Sequence, residues 1–369
     1  MSFADTGVRF FNNSMVGAPA LQSTTAGSMV NILKACLIDG FGSVNLASLV
    51  ISNGIATGTV NTGHNFTMRG NTGPAIFLSG ITFPAPLNGV NRVLSVPNST
   101  TFTFDATGYT DQTASGAISV KRAPIPDMQL LYDEGMSLAF KRTAVDALPF
   151  ILSITDSTTT MSARLFSTAT GATTTNDPIL VTSKNMIKGS GGSSRYWSLI
   201  GDGKMFYFLC DMLVTNSYTG FMQWGDLINI AGTDSSNNYL SLYDTNFSMA
   251  ALNATGKYLA RSYTQTGVGV TAKMGSISLG AYAYSGASFT GIPQPTINGT
   301  LLVPLYIAED GVGVRGILRG AWNPLADQPF EGILSNVMGM PGRDFITLWS
   351  NYQTHGVIAF DITGPWGEF

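Results

Sequence analysis

The strongest constraint on this 369-residue chain is a run of strand-length segments between Ser43 and Lys121: LASLVIS, GIATGTVNTGHNF, GPAIFLSGI, LNGVNRVLSVP, STTFTFDATG and SGAISV. In STTFTFDA the residues Thr101, Phe102, Thr103 and Phe104 alternate with period two. Both phenylalanines therefore face one side of a strand and both threonines the other. Phe77 with Ile81, and Val93 with Ser95 and Pro97, read the same way. Pro124 and Pro126 lie just beyond the run and cannot continue a ladder. Five or six short strands with one apolar face each must bury that face against another sheet, which predicts a small barrel or sandwich over 43–122.

What precedes the run differs in kind. Residues 1 to about 24 hold Phe10, Phe11, Pro19 and several Asn and Gly with neither helical nor strand periodicity, and read as an extended arm. Such an arm either packs on a neighbouring subunit or frays as a terminus. In SMVNILKACLIDG the residues Met29, Ile32, Leu33, Cys36 and Leu37 fall at i, i+3, i+4, i+7 and i+8, the spacing of a one-sided helix. Thr25 or Ser28 is placed to cap its start and Gly40 to end it. The β module that follows is the expected seat for its apolar stripe. Arm and helix together make residues 1–42 the first unit.

After Ile125 the strand signals continue at irregular spacing: LPFILSIT, MSARLFST, RYWSLIG, KMFYFLC, GSISLGAYAY, LLVPLYIA, GVRGILRG, DFITLWS and GVIAFDI. They predict a larger antiparallel β domain over 123–369. Its clearest hairpin is SRYWSLIGDGKMFYFLC, with Gly201-Asp202-Gly203 expected to supply a positive-φ turn. The fold class is thus mainly β: an arm and short helix, a small β module, and a larger antiparallel domain.

Charge narrows the partners. The formal net charge is −3 and only 11% of residues are charged, against about 25% in ordinary domains. Nucleic acid draws its affinity from clustered Lys and Arg, and here the basic residues are scattered. Lys121-Arg122 and Lys141-Arg142 read as solvated pairs, and no nucleic-acid partner is expected. So weakly charged a surface favours burial against copies of itself or neighbours. The amino-terminal stretch has no apolar run of leader length. The longest apolar run, Met205 to Val214, is broken by Asp211 and falls short of the ~20 residues that cross a bilayer, so no membrane insertion is expected.

Candidate chemistry is weighed and set aside. Gly311, Gly313 and Gly316 spell G-x-G-x-x-G, but Gly320 and Pro324 deny the helix that a dinucleotide site needs, and a hairpin turn fits better. Gly203-Lys204 lacks the following Ser or Thr of a P-loop. His64 and His355 both sit in turns and have no second ligand at i+3 or i+4. Cys36 and Cys210 read as buried thiols. Asp133-Glu134 and Glu309-Asp310 are adjacent carboxylates that a strand would point apart. The expectation is a protein that is not an enzyme, with no catalytic residue, cofactor or metal.

The strings GHNF, AIFLSGI, LNGVNRVLSV and STTFTFD resemble the turn-and-strand pattern of β modules recurring in tail, baseplate and neck proteins of tailed bacteriophages. The helix with its GFG turn and the terminal DITGPW are similar to virion proteins of siphophages and myophages. The sequence departs from that pattern at Met68 to Thr72, where RGNTG stands in place of an apolar strand start. The resemblance implies a virion protein, made in the host cytoplasm, that forms a homo-oligomer of trimeric or hexameric order and docks on other virion structural proteins. Phe10, Phe11, Trp366 and Phe369 are the interface candidates, although the terminal Trp and Phe could instead complete the chain's own core. The alternatives are a capsid decoration protein and a tail-tip module binding a host-surface glycan, with Tyr239, Tyr243, Tyr282 and Tyr284 as stacking platforms.

Overall fold

Period-two alternation closes into a barrel. In a computed structural model, which describes residues 5–174, 184–188, 194–211, 220–229, 237–243, 257–261, 272–276, 302–309, 313–324, 332–335, 337, 339–350 and 356–367, the chain is mostly β-structure. Six antiparallel strands run around the barrel in the order Phe41–Ser52, Ile55–Val60, Thr101–Asp105, Gly89–Asn98, Ala75–Phe83, Ser115–Arg122 and back to the first. Closure removes the sheet edges that short strands would otherwise leave open. Inside lie Leu49, Ile51, Ala56, Ile76, Leu78, Val93, Phe102, Phe104 and Val120. Each fully buried phenylalanine contributes about 1.5–3 kcal/mol. Gly58 stands opposite Phe102, and a Cβ there would sit 2.5 Å from the ring, so glycine is what lets the aromatic lie across the neighbouring strand.

Among the described residues, the rest of the chain forms three larger antiparallel sheets and one two-stranded pair. A front sheet holds Met128–Asp133, Ser137–Arg142, Ile151–Asp156, Thr160–Phe166 and Lys184–Ile187 in sequence order. A central sheet follows Arg9–Asn12 with Trp197–Gly201, Met205–Cys210, Gly220–Asp226, Asn237–Tyr243 and Lys257–Arg261. A back sheet is ordered Ala272–Ser276, Leu302–Glu309, Gly313–Pro324, Gly356–Asp361, Phe345–Ser350 and Ile333–Leu334. The central sheet is buried on both faces. Trp197, Leu199, Phe206, Phe208, Met222, Trp224 and Leu240 join the front sheet in one core. The intervening Ile200, Met205, Tyr207, Leu209, Phe221 and Tyr239 join the back sheet in another.

The helix Ser28–Lys34 continues into a π-helical turn, Ala35–Asp39, which ends at Gly40 with φ +70°. Its stripe corrects the expected seat. Met29, Ile32, Leu33, Cys36 and Leu37 pack with the front and central sheets, not inside the barrel, whose interior is already filled from its own strands. The cap is corrected as well. Residue 27 is Gly, with no side chain to offer, and the Asp156 carboxylate at the end of Ile151–Asp156 accepts from Met29 N at 2.8 Å and Val30 N at 3.3 Å. Its other oxygen meets Lys188 Nζ at 2.6 Å in a fully buried ion pair, and the same ammonium donates to the carbonyls of Thr25 and Ser157.

The arm is not free. Arg9–Asn12 forms the edge strand of the central sheet against Trp197–Gly201, and Leu21–Gln22 pairs with Ser194–Arg195. Trp197 Nε1 donates to Pro19 O at 2.9 Å. The hairpin Trp197–Gly201 to Met205–Cys210 is present, but its turn does not use a positive φ at either glycine. The Asp202 carboxylate closes it by accepting from Lys204 N and Met205 N, both at 2.8 Å. The glycine motif near residue 313 opens no helix: Leu302–Glu309 and Gly313–Pro324 are antiparallel, with Glu309 opposite Gly313.

Candidate docking surface and a cleft beside the barrel

The outward face of the barrel carries polar residues and four exposed large apolar side chains, Val50, Ile55, Phe83 and Val90. Phe83 is the most open, at 62%. It ends Ala75–Phe83 just before Pro84 and the short turn Ala85–Leu87, and Asn88 fixes that corner. The Asn88 side chain accepts from Ile81 N at 3.0 Å and donates to Ile81 O at 2.7 Å and Ala85 O at 2.8 Å. An exposed aromatic on a hydrogen-bonded corner loses little conformational freedom when covered, which is what an interface anchor requires.

The anchors expected from sequence fare differently. Phe11 is 2% exposed and tilts against Phe41 at 5.4 Å between ring centroids, inside the core shared by helix, front sheet and central sheet. Trp366 is 5% exposed, donates to Asp361 O at 2.9 Å and packs beside Tyr207. Gly320, at φ +64°, makes room for it, since a Cβ there would lie 2.0 Å from the indole. Both residues thus serve the chain's own fold, which for Trp366 is the alternative the sequence left open. Phe10 is half-buried, with the Arg69 guanidinium 4.5 Å from its ring centroid. Phe369 lies outside the described residues. Of the tyrosines considered for sugar stacking, Tyr239 is fully buried and presents no platform. Tyr282 and Tyr284 lie outside the described residues, as does the side chain of Tyr243.

Phe10 opens onto a second feature. A cleft runs between the arm strand, the barrel and Ile362, and Arg9, Arg69, Arg92 and Arg122 line it. Arg9 grips Asp5 with both terminal nitrogens, at 2.6 and 2.7 Å. Arg92 donates to Gly73 O, Thr6 Oγ1 and Val8 O, and approaches Asp5 at 3.5 Å. Arg122 donates to Asn65 O at 2.7 Å and its guanidinium lies 5.2 Å from the Phe66 ring centroid. Burial, with the charge of Arg9, lowers the Arg92 pKa to about 10; burial, with the charge of Arg69, does the same for Arg122. Burial alone would raise the Asp5 carboxyl, but Arg9 and Arg92 outweigh it and hold the group below its usual range.

Beside the cleft, the turn Arg69 to Thr72 ties the barrel to the back sheet. Asp344 accepts from Asn71 N at 2.8 Å and Thr72 Oγ1 at 2.9 Å, and Thr72 shares a hydrogen bond with Thr363. Where the sequence lacks an apolar strand start, a hydrogen-bonded tether stands instead.

Of the cleft arginines, Arg122 escaped the sequence reading because Lys121-Arg122, like Lys141-Arg142, reads as a solvated pair. On a strand adjacent residues face opposite ways, so each pair sends its lysine out and its arginine in. Arg142 is accordingly buried, paired with Asp226 at 2.6 Å and lying over Trp224. The alternation was the signal that could have found them.

The residues weighed for catalysis are engaged in the fold wherever they are described. His64 is buried, accepts from Phe66 N at 2.9 Å through Nδ1, and stacks on Phe66 at 4.8 Å. Burial lowers its pKa. Asp133 pairs with Lys34 and Glu134 accepts from Ala172 N. Cys36 and Cys210 are free, buried thiols whose pKa burial pushes up. His355 and the side chain of Glu309 lie outside the described residues. Among the described residues no helix is long and apolar enough to cross a membrane. Compared with known proteins, the chain matches no family model and no curated sequence.

Proposed function

We propose that this chain is a non-enzymatic structural subunit of a tailed-phage virion, in the tail, baseplate or neck, acting by homo-oligomeric assembly and docking on other virion proteins. The observation that carries the reading is the self-contained barrel: its core is filled by its own strands, while Phe83 stands exposed on a braced corner outside it. A module that needs no help to fold is free to use its outer face for partners. The low charge and the resemblance of the barrel's strands to phage virion modules support the same reading. The arm strand and Trp366 are built into the protomer's own core, and the exposed Phe83 corner of the barrel is the proposed contact.

Light scattering of the full chain across a concentration series tests the assembly, and labelling in intact particles by electron microscopy tests the location. The expected result is a closed oligomer of trimeric or hexameric order, weakened at least tenfold in Phe83→Asp, with the label at one position in the virion. A chain that stays monomeric at high concentration and takes no defined place in particles overturns the reading.

A further inference from the structure

We propose that the arginine-lined cleft beside the barrel is an anion site that takes a single small oxyanion, phosphate- or carboxylate-sized, between the arm strand and the barrel. Arg9 and Arg122 are buried and the Arg92 side chain is only 7% exposed, yet among the described residues Asp5 is the one carboxylate bonded to any of the three. Buried charges are ordinarily paired, because an uncompensated one forfeits its hydration without return. Among the described residues, these three guanidiniums against one carboxylate leave a positive excess on the cleft wall. Asp344, the nearest acid on the far side of the 69–72 turn, already accepts from Asn71, Thr72 and Ser335.

Hydrogen bonding points the same way as charge. Among the described residues, the Nε of Arg9 and of Arg92 are buried without a partner, and Arg122 donates to Asn65 O alone. Phe66 lies under the guanidinium of Arg122, a placement that fixes its plane while leaving its N–H edge to point elsewhere. Such edges match the paired oxygens of a carboxylate or phosphate. The cleft is closed in by Val8, Phe11, Met15, Pro74 and Ile362, so it suits one anion and not a nucleic-acid backbone, which needs an exposed basic stripe. The anion is either free in solution or the carboxylate of a neighbouring copy. The inference stands on the cleft and is independent of the assembly reading.

Calorimetric titration of the full chain with sodium phosphate and with sodium acetate, against sodium chloride at matched ionic strength, tests it. Saturable binding of one phosphate per chain is expected, with a rise in unfolding midpoint that chloride does not reproduce. Arg122→Gln should weaken phosphate binding at least tenfold. Asp5→Asn should tighten it at least threefold, a change of sign that simple damage to the fold would not give. A rise independent of protein concentration assigns the site to a free anion, whereas phosphate that binds while dissociating oligomers assigns it to a neighbour's carboxylate. Absence of saturable phosphate or acetate binding to the folded wild-type chain, or an affinity unmoved in both variants, overturns the proposal.

Discussion

The barrel and the central sheet are both antiparallel and built from short strands, yet they hide their apolar side chains in opposite ways. The barrel closes on itself, so each strand has one face in and one face out, and Phe102 and Phe104 alternate with outward Thr101 and Thr103. The central sheet cannot close and is covered on both sides, so Met205–Cys210 and Gly220–Asp226 are buried along their whole length. One is a local solution and the other a cooperative one. The barrel's stability rests on residues within Phe41–Arg122, whereas the central sheet needs the helix, the front sheet and the back sheet in place together.

That contrast breaks most sharply at Asp156. Replacing it by Ala leaves Lys188 buried without its counter-ion and removes the acceptor for two helix amides, a loss of about 3–5 kcal/mol. Chemical denaturation followed by tryptophan fluorescence should show the sheet layers unfolding early, because all five tryptophans lie outside the barrel, while the barrel persists by circular dichroism. A single coincident transition would mean that the two regions are one cooperative unit. Phe102→Ala is the converse experiment. It should cost the barrel about 3–5 kcal/mol and leave the tryptophan-reported transition in place.

Acid should also separate the regions, by less. Burial lowers the His64 pKa from its reference 6.5, so the unfolded chain binds the extra proton first. The stabilisation from neutral His64 is complete above about 6.5 and is lost as the pH falls from there through the lowered folded value. Unfolding midpoints between pH 7.5 and pH 5 should therefore fall in the barrel, and His64→Gln should flatten that dependence. The smallest effect belongs to Lys34→Ala. Its ion pair with Asp133 is solvent-exposed at both ends, so the change costs at most about 1 kcal/mol and fades in high salt.

Legibility followed the same division. Thr101 to Phe104 announced a strand with an inner face, and the hairpin around Asp202 was readable from an apolar run broken by a glycine pair. The strand Gly220–Asp226 gave no signal, because a segment buried on both faces has no alternation to detect and Gln223 and the glycines interrupt its apolar character. Of the candidate anchors, Phe11 and Trp366 were visible as aromatics, but nothing near them in sequence says whether an aromatic finds its pocket in its own chain or in the next. The cleft was invisible for a related reason: Arg9, Arg69, Arg92 and Arg122 are far apart along the chain and meet only when the arm strand reaches the barrel.

The sequence by itself determined the β class, a small module of short one-faced strands, the helix and the strands of the main hairpin, because each depends on side-chain period and backbone preference within a few residues. Tertiary structure alone decided that the arm is an edge strand, that the helix is capped by a carboxylate 127 residues away, and that the barrel is tethered through Asp344. It also decided that four arginines share one cleft. These rest on burial and on charges brought together from distant parts of the chain. Neither leaves a periodic trace in the sequence.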